Sequence, residues 1–304
     1  MIETLAALLE SARAAGNHIY ALADAAQDNA LPGAISSART PSRCMLPGAQ
    51  GSSVEKAAPH LVDMTDANID EVPWQWLVKR APLQPCASLL ASASPLDELV
   101  QHLQRFIDVE LPDRTHMALA FWDPMILAGL IGSNEDPTLH VRGPIFNASQ
   151  RVIFLAPIKG AWYWDRAGAL RALPVPKELT MPASGEQGVL PLRLHPEQID
   201  QLVEASMPAQ IWHYIRENKP DILLGHSDFD QYRLISQQLM HARGYGLDGM
   251  RDLVNYCSLA FALGIDFDRD AKAAALLTQV KAKTMSFDTF MEQLAEAYAE
   301  PDAY

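Results

Sequence analysis

Two short stretches hold residue types that could carry chemistry. In MALAFWDPMILAGL, residues 117–130, an apolar run ends at Asp123-Pro124 and a second apolar segment begins at once. A carboxylate at the end of a strand in an open α/β sheet can serve as a general base. The same Asp-Pro pair also starts helices: the Asp side chain accepts a first-turn N–H, and Pro presets φ where its missing donor costs nothing. General-base chemistry needs a partner acid, base or metal ligand, and no His-x-x-x-His, Glu-x-x-His or paired carboxylate lies nearby, so the helix-cap reading is favoured. The second stretch, Gly225-His226-Ser227-Asp228-Phe229, follows the apolar Ile222-Leu223-Leu224 and resembles half of a nucleophile elbow. It would make Ser227 the nucleophile of a serine-type hydrolase. The elbow needs glycine where Phe229 stands, and the later His241 falls on the helix that Asp228 is expected to cap.

Other reactive side chains form no recognisable set. His60, His102, His116, His140, His195, His213, His226 and His241 lack metal-ligand spacing, and Cys44, Cys86 and Cys257 lie far apart without a Cys-x-x-Cys pair. No Gly-rich dinucleotide loop, phosphate loop or calcium loop is present, so no metal or cofactor is implied. Trp162-Tyr163-Trp164 alternates as strand packing does, and Trp74 and Trp76 read the same way. Asn147-Ala148-Ser149 matches a glycosylation acceptor, which carries no meaning in the reducing compartment that the scattered cysteines suggest.

Composition narrows the partners. The chain has 304 residues, 49% of them hydrophobic, and a formal net charge of −13. That size suits two lobes of a soluble globular protein. The acidity argues against binding a nucleic-acid backbone, which needs clustered Lys and Arg. Glu3 and Glu10 interrupt the first apolar stretch, which reads as an amphipathic helix and not as a signal peptide. No run of 18 apolar residues would span a membrane. A cytosolic chain with protein partners is expected.

The elements that must position these residues fall into two groups. Residues 1–188 alternate short apolar runs with helical patterns, the signature of a layered α/β sheet. Strands are expected at 18–23, ending at Asp24, and at 59–64, 86–91, 117–122, 151–155 and 161–164. Helices are expected around Leu5, Leu8 and Leu9, at 73–79, and from Leu96 to Ile107, the last with Ser94 as N-cap and Pro95 at its first position. Much of 28–59, rich in Ala, Ser, Gly and Pro, reads as loop. After a Pro- and Gly-rich connection at 173–188 the pattern turns helical through 189–304. Pro208 is expected to break or kink the first of these helices, Asp228, Asp248 and Ser286 to open later ones, and Gly244 and Gly264 to close two.

Several stretches in order resemble the type VI secretion effector chaperones, also called adaptor proteins. They are His18-Ile19-Tyr20-Ala21-Leu22-Ala23-Asp24, Pro59-His60-Leu61-Val62, Pro95 through Leu103, Phe121-Trp122-Asp123-Pro124 and Gly143-Pro144-Ile145, covering about the first 165 residues. Tyr245-Gly246-Leu247 and Leu263 through Asp268 are similar to the family's tail. The chain departs from the pattern at Asp24-Ala25, where such proteins often have Asp-Gly, and in the long insertion before Pro59. The resemblance implies a non-enzymatic protein that holds a cognate toxic effector in the cytoplasm and helps load it on the VgrG spike. It makes Asp24, Trp122, Asp123, Pro124, Gly143 and Pro144 fold-forming signature positions. It also places effector contacts on the helical lobe, around Tyr245, Gly246, Phe267 and Asp268. A serine-type hydrolase using Ser227 and a structural subunit of the secretion apparatus are the alternatives.

Overall fold

The computed structural model describes residues 2–38, 40–49, 51–176 and 190–299. The chain divides into two compact units, Met1–Ala205 and Ser206–Tyr304. The first is a sheet-containing α/β unit and the second is helical.

The first unit runs α1 (Ile2–Ala14), β1 (His18–Asp24), α2 (Leu31–Ala38), β2 (Ser42–Cys44), β3 (Pro59–Asp63), α3 (Val72–Arg80), β4 (Ala87–Ser92), α4 (Leu96–Gln104), β5 (Asp108–Glu110) and β6 (His116–Ala118). It continues with α5 (Pro124–Ile131), α6 (Ala148–Leu155), β7 (Ile158–Trp164), β8 (Leu170–Ala172) and β9 (Leu192–Arg193). Six strands form one antiparallel sheet in the order β2-β3-β1-β4-β7-β8. A small second sheet, β6-β5-β9, contains the parallel pair β5/β9.

The sheet is covered on both faces, which explains why its central strands read as unbroken apolar runs. Tyr20, Leu22, Leu61, Leu90 and Tyr163 face a core with α4, α5 and α6. The alternate residues Ile19, Ala21, Val62, Leu89 and Trp164 face a second core with α1, α2 and α3.

Local chemistry overrides the sequence pattern at several points. Residues 151–155 are helical, not a strand. A continuous apolar run does not tell a short strand from a buried helix, and the deciding signal lies upstream in a capping box, where Asn147 and Gln150 exchange side-chain and backbone hydrogen bonds. The strand expected over 117–122 stops at Ala118, because the chain turns through Phe121 to deliver Asp123 to α5. Much of 28–59 is loop, as its composition suggests, but α2, β2 and a 3₁₀ turn over Ser53–Ala57 are set within it. Pro95, not Ser94, is the N-cap of α4. Ser94 instead accepts the Tyr20 hydroxyl on its carbonyl and donates its N–H to Ser92 Oγ.

In the second unit, α7 (Pro196–Asn218) passes through Pro208 without breaking, and the division at Ala205 falls inside it. The first unit therefore extends past residue 188. Its β9 pairs with β5, and Gln198 Nε2 donates to the Ile145 carbonyl at 2.6 Å. Helices α8 (Asp228–Gly244), α9 (Met250–Leu263), α10 (Ala271–Lys281) and α11 (Phe287–Ala299) pack Ile235, Leu239, Tyr256, Leu277 and Phe290 inward against Ile211 of α7. Ser227 caps α8 in place of Asp228, and Gly249 occupies the N-cap of α9 in place of Asp248. Ser286 Oγ accepts the Thr289 N–H at the start of α11.

Candidate functional site

Asp24 closes β1 and is buried. Its Oδ1 accepts the Ala26 N–H at 2.9 Å, an Asx turn that takes the chain out of the sheet. Its Oδ2 lies 3.3 Å from Gln27 Nε2, which also donates to Asp123 Oδ2 at 3.1 Å. The other Asp123 oxygen accepts the Met125 and Ile126 N–H groups at 2.7 and 3.3 Å, capping α5. One amide nitrogen, with its two hydrogens, thus ties the end of β1 to the start of α5. Burial lifts the Asp24 carboxyl above the ordinary carboxylate range and the neighbouring Asp123 charge adds to this, while the Ala26 and Gln27 hydrogen bonds oppose it.

A second acid sits behind the first. Asp28 accepts the Ala30 N–H at 2.9 Å, Trp76 Nε1 at 3.2 Å and Arg80 Nε at 2.8 Å. Burial alone would raise its pKa, but the Arg80 guanidinium and the two further donors outweigh burial and hold it below the usual range. The adjacent Cys86 thiol is pushed up to about 12, chiefly by burial and then by the Asp28 charge.

The remaining signature positions gather around α5. Gly143, with φ of +69°, crosses the helix so closely that a Cβ there would lie 2.0 Å from the Gly129 carbonyl oxygen. From this crossing the chain runs along the last turn of α5, with Ile145 N–H donating to Gly129 O at 2.9 Å and Phe146 N–H to Leu130 O at 3.1 Å. Pro144 fills the space beside Gly132, and half-buried Trp122 stacks edge-on against Phe121. Asp24, Trp122, Asp123, Pro124, Gly143 and Pro144 therefore meet at one helix.

Each oxygen of the Asp24 and Asp123 carboxylates already holds a turn, a cap or an amide. Such a clasp orders the fold. Among the described residues no group of three or more His, Cys, Asp or Glu side chains could hold a metal ion. At the second candidate stretch, Ser227 Oγ donates to Asp230 Oδ2 at 2.7 Å and accepts the Asp230 N–H at 3.2 Å. The neighbouring His226 packs its ring against Phe261.

Of the four positions expected to contact an effector, Tyr245 is half-buried and Gly246 is exposed, while the other two belong to the helical core. Phe267 and Asp268 are buried. Asp268 Oδ2 accepts the Tyr256 hydroxyl at 3.0 Å and the Tyr245 hydroxyl at 3.4 Å, and His241 Nδ1 lies 3.3 Å from it. Phe267 packs its ring at a tilt against Tyr256, and Gly246 turns the chain after α8 with φ of +79°. Sequence reasoning passed over Gln27, Asp28 and Arg80. The strand-ending Asp24 followed by a polar turn was the available signal, but nothing in the spacing ties residue 27 to residue 123.

A family model described as "Domain of unknown function (DUF4123)" matches residues 19–140. The match begins in β1 and ends beyond α5, so it contains both halves of the clasp. No curated protein and no solved structure matches the chain. Among the described residues, no helix is long and apolar enough to cross a membrane.

Proposed function

We propose that this protein is a type VI secretion adaptor that binds a cognate toxic effector in the cytoplasm and promotes its loading onto the VgrG spike. The observation carrying this reading is the family match over residues 19–140, since that family of unknown function is associated with type VI secretion effector adaptors. The geometry supports it from another side. The side chains that sequence alone offers as catalysts, Asp123 and Ser227, each cap the first turn of a helix, and the second Asp123 oxygen accepts Gln27. On this reading the protein is not an enzyme and acts through its folded surface.

Co-expression with the product of the neighbouring effector gene tests it. A stable complex that raises effector solubility, and loss of the effector from purified spikes when the adaptor gene is deleted, are expected. Fluorophosphonate labelling that disappears in Ser227→Ala would instead establish the hydrolase. Stoichiometric recovery of this chain in purified sheaths would establish a structural subunit.

A further inference from the structure

The outermost strand of the large sheet, β8, pairs on one side only among the described residues. Its register with β7 sets Trp162 opposite Ala172, Tyr163 opposite Arg171 and Trp164 opposite Leu170. Bonds from Asp165 N–H to Ala169 O and from Leu173 N–H to Ala161 O flank that register. In an antiparallel ladder the exchanging pairs alternate, so Tyr163 and Arg171 exchange bonds, while the N–H and C=O groups of Leu170 and Ala172 point away from β7. Neither residue makes any other hydrogen bond among the described residues.

On the face carrying these two side chains, a groove of about 610 Å³ lies between α1 and strands β4, β7 and β8. That volume is in the range of pockets that hold ligands, roughly 300–1,000 Å³. Leu8 and Ala12 of α1 form one wall, and Trp162, Ala91 and Leu170 form the floor. The Trp162 indole lies directly over Gly160, where a Cβ would come within 2.3 Å of the ring. Lys159 is the one ionisable residue lining the groove; it is exposed, and among the described residues it has no ion-pair partner. An uncovered strand edge next to an apolar groove on the same face suits an extended backbone, which pairs with the edge while every second side chain enters the groove. A helix or a compact small molecule would leave the edge amides unmet.

We propose that an extended apolar segment of the bound effector adds to β8 as a further strand, seats its inward side chains against Trp162 and Leu8, and pairs an acidic side chain with Lys159. That the segment belongs to an effector rests on the adaptor reading.

Amide hydrogen exchange on the full chain, free and in complex with the neighbouring gene's effector, is the test, together with the affinities of Ala172→Pro and Lys159→Glu. Slowed exchange at Leu170 and Ala172 only in the complex supports the proposal, as does binding about tenfold weaker or more in either variant at an unchanged melting temperature. A complex that leaves those two amides unprotected, or whose affinity stays within about twofold in both variants, overturns the groove and leaves the adaptor reading standing. If no complex forms, both fall. Protection already complete in the free protein would assign the edge to the chain's own residues 177–189, and an effector-independent dimer dissociated by Ala172→Pro would assign it to a second copy; either result overturns the proposal.

Discussion

Asp123 illustrates how one carboxylate serves two structural ends. Its Oδ1 caps α5, and its Oδ2 receives Gln27 from across the unit. Asp123→Ala should therefore cost roughly 1–2 kcal/mol by denaturant unfolding, the loss of a cap plus a stranded amide, whereas Asp123→Asn, itself a good cap, should cost less. Asp24 makes a different expectation. Its folded pKa stands above its unfolded value, so the protonated form favours folding; that contribution is complete below the unfolded pKa and is lost as pH rises through the folded one. Asp24→Asn should then gain stability relative to the parent as pH climbs through and above the ordinary carboxylate range. Asp28 has the opposite sign. Its depressed pKa gives stability above the unfolded value that vanishes as pH falls through the folded one, and Asp28→Asn should flatten the acid limb of the melting-temperature profile. A parallel course of parent and variant across that limb would remove the assignment.

Among the elements, α5 is crossed closely by the segment at Gly143. Gly143→Ala would put a methyl group on the Gly129 carbonyl and force a left-handed φ on an L-residue, so a loss of about 1–3 kcal/mol is expected from thermal melts. Gly246→Ala, at φ of +79° with nothing within 4 Å of the added methyl group, is the matched control and should cost only the left-handed φ, about 1 kcal/mol. Elements with long periodic patterns or clear punctuation were readable in advance: the strand ending at Asp24, the Asp123 cap, and the closing glycines of α8 and α9. Those that were not share a physical cause. Residues 151–155 are too short for periodicity to decide, and their helix depends on Asn147 and Gln150, outside the apolar run. Residues 117–122 look like a strand because Leu119 and Phe121 are buried, yet burial here comes from a turn. Pro208, expected to break or kink the helix, does not break it. The clasp itself was invisible because Gln27 and Asp123 are 96 residues apart and meet only through sheet topology.

At the scale of the molecule, the first unit buries both faces of its sheet and the second buries one helical core, and the three cysteines fall in both units. Cys44 and Cys86 lie in the first and Cys257 in the second, all buried. Burial also pushes the Cys257 thiol up to about 12, and thiols react as thiolates. The native protein should give essentially no modification by a maleimide reagent at neutral pH, and denaturant should expose Cys86 and Cys257 at the midpoints of their respective units. Ready labelling of Cys86 in native buffer would show that the sheet opens far more easily than its double burial implies. The division into an α/β unit and a helical unit was legible from the change of period in the sequence. The continuation of the first unit to Ala205 was not, because it depends on β9 and Gln198 reaching back to earlier parts of the fold.

The two faces of β1 differ in bulk. One presents Tyr20 and Leu22, while the other presents the smaller Ala21 and Ala23 after Ile19. Sliding β1 by one position would exchange these sets, driving a phenol into space shaped for a methyl group and leaving a void on the reverse side. Insertion or deletion of a single residue within β1 should thus be far more damaging than most point changes there, so misaligned pairings are rejected by volume as the sheet assembles.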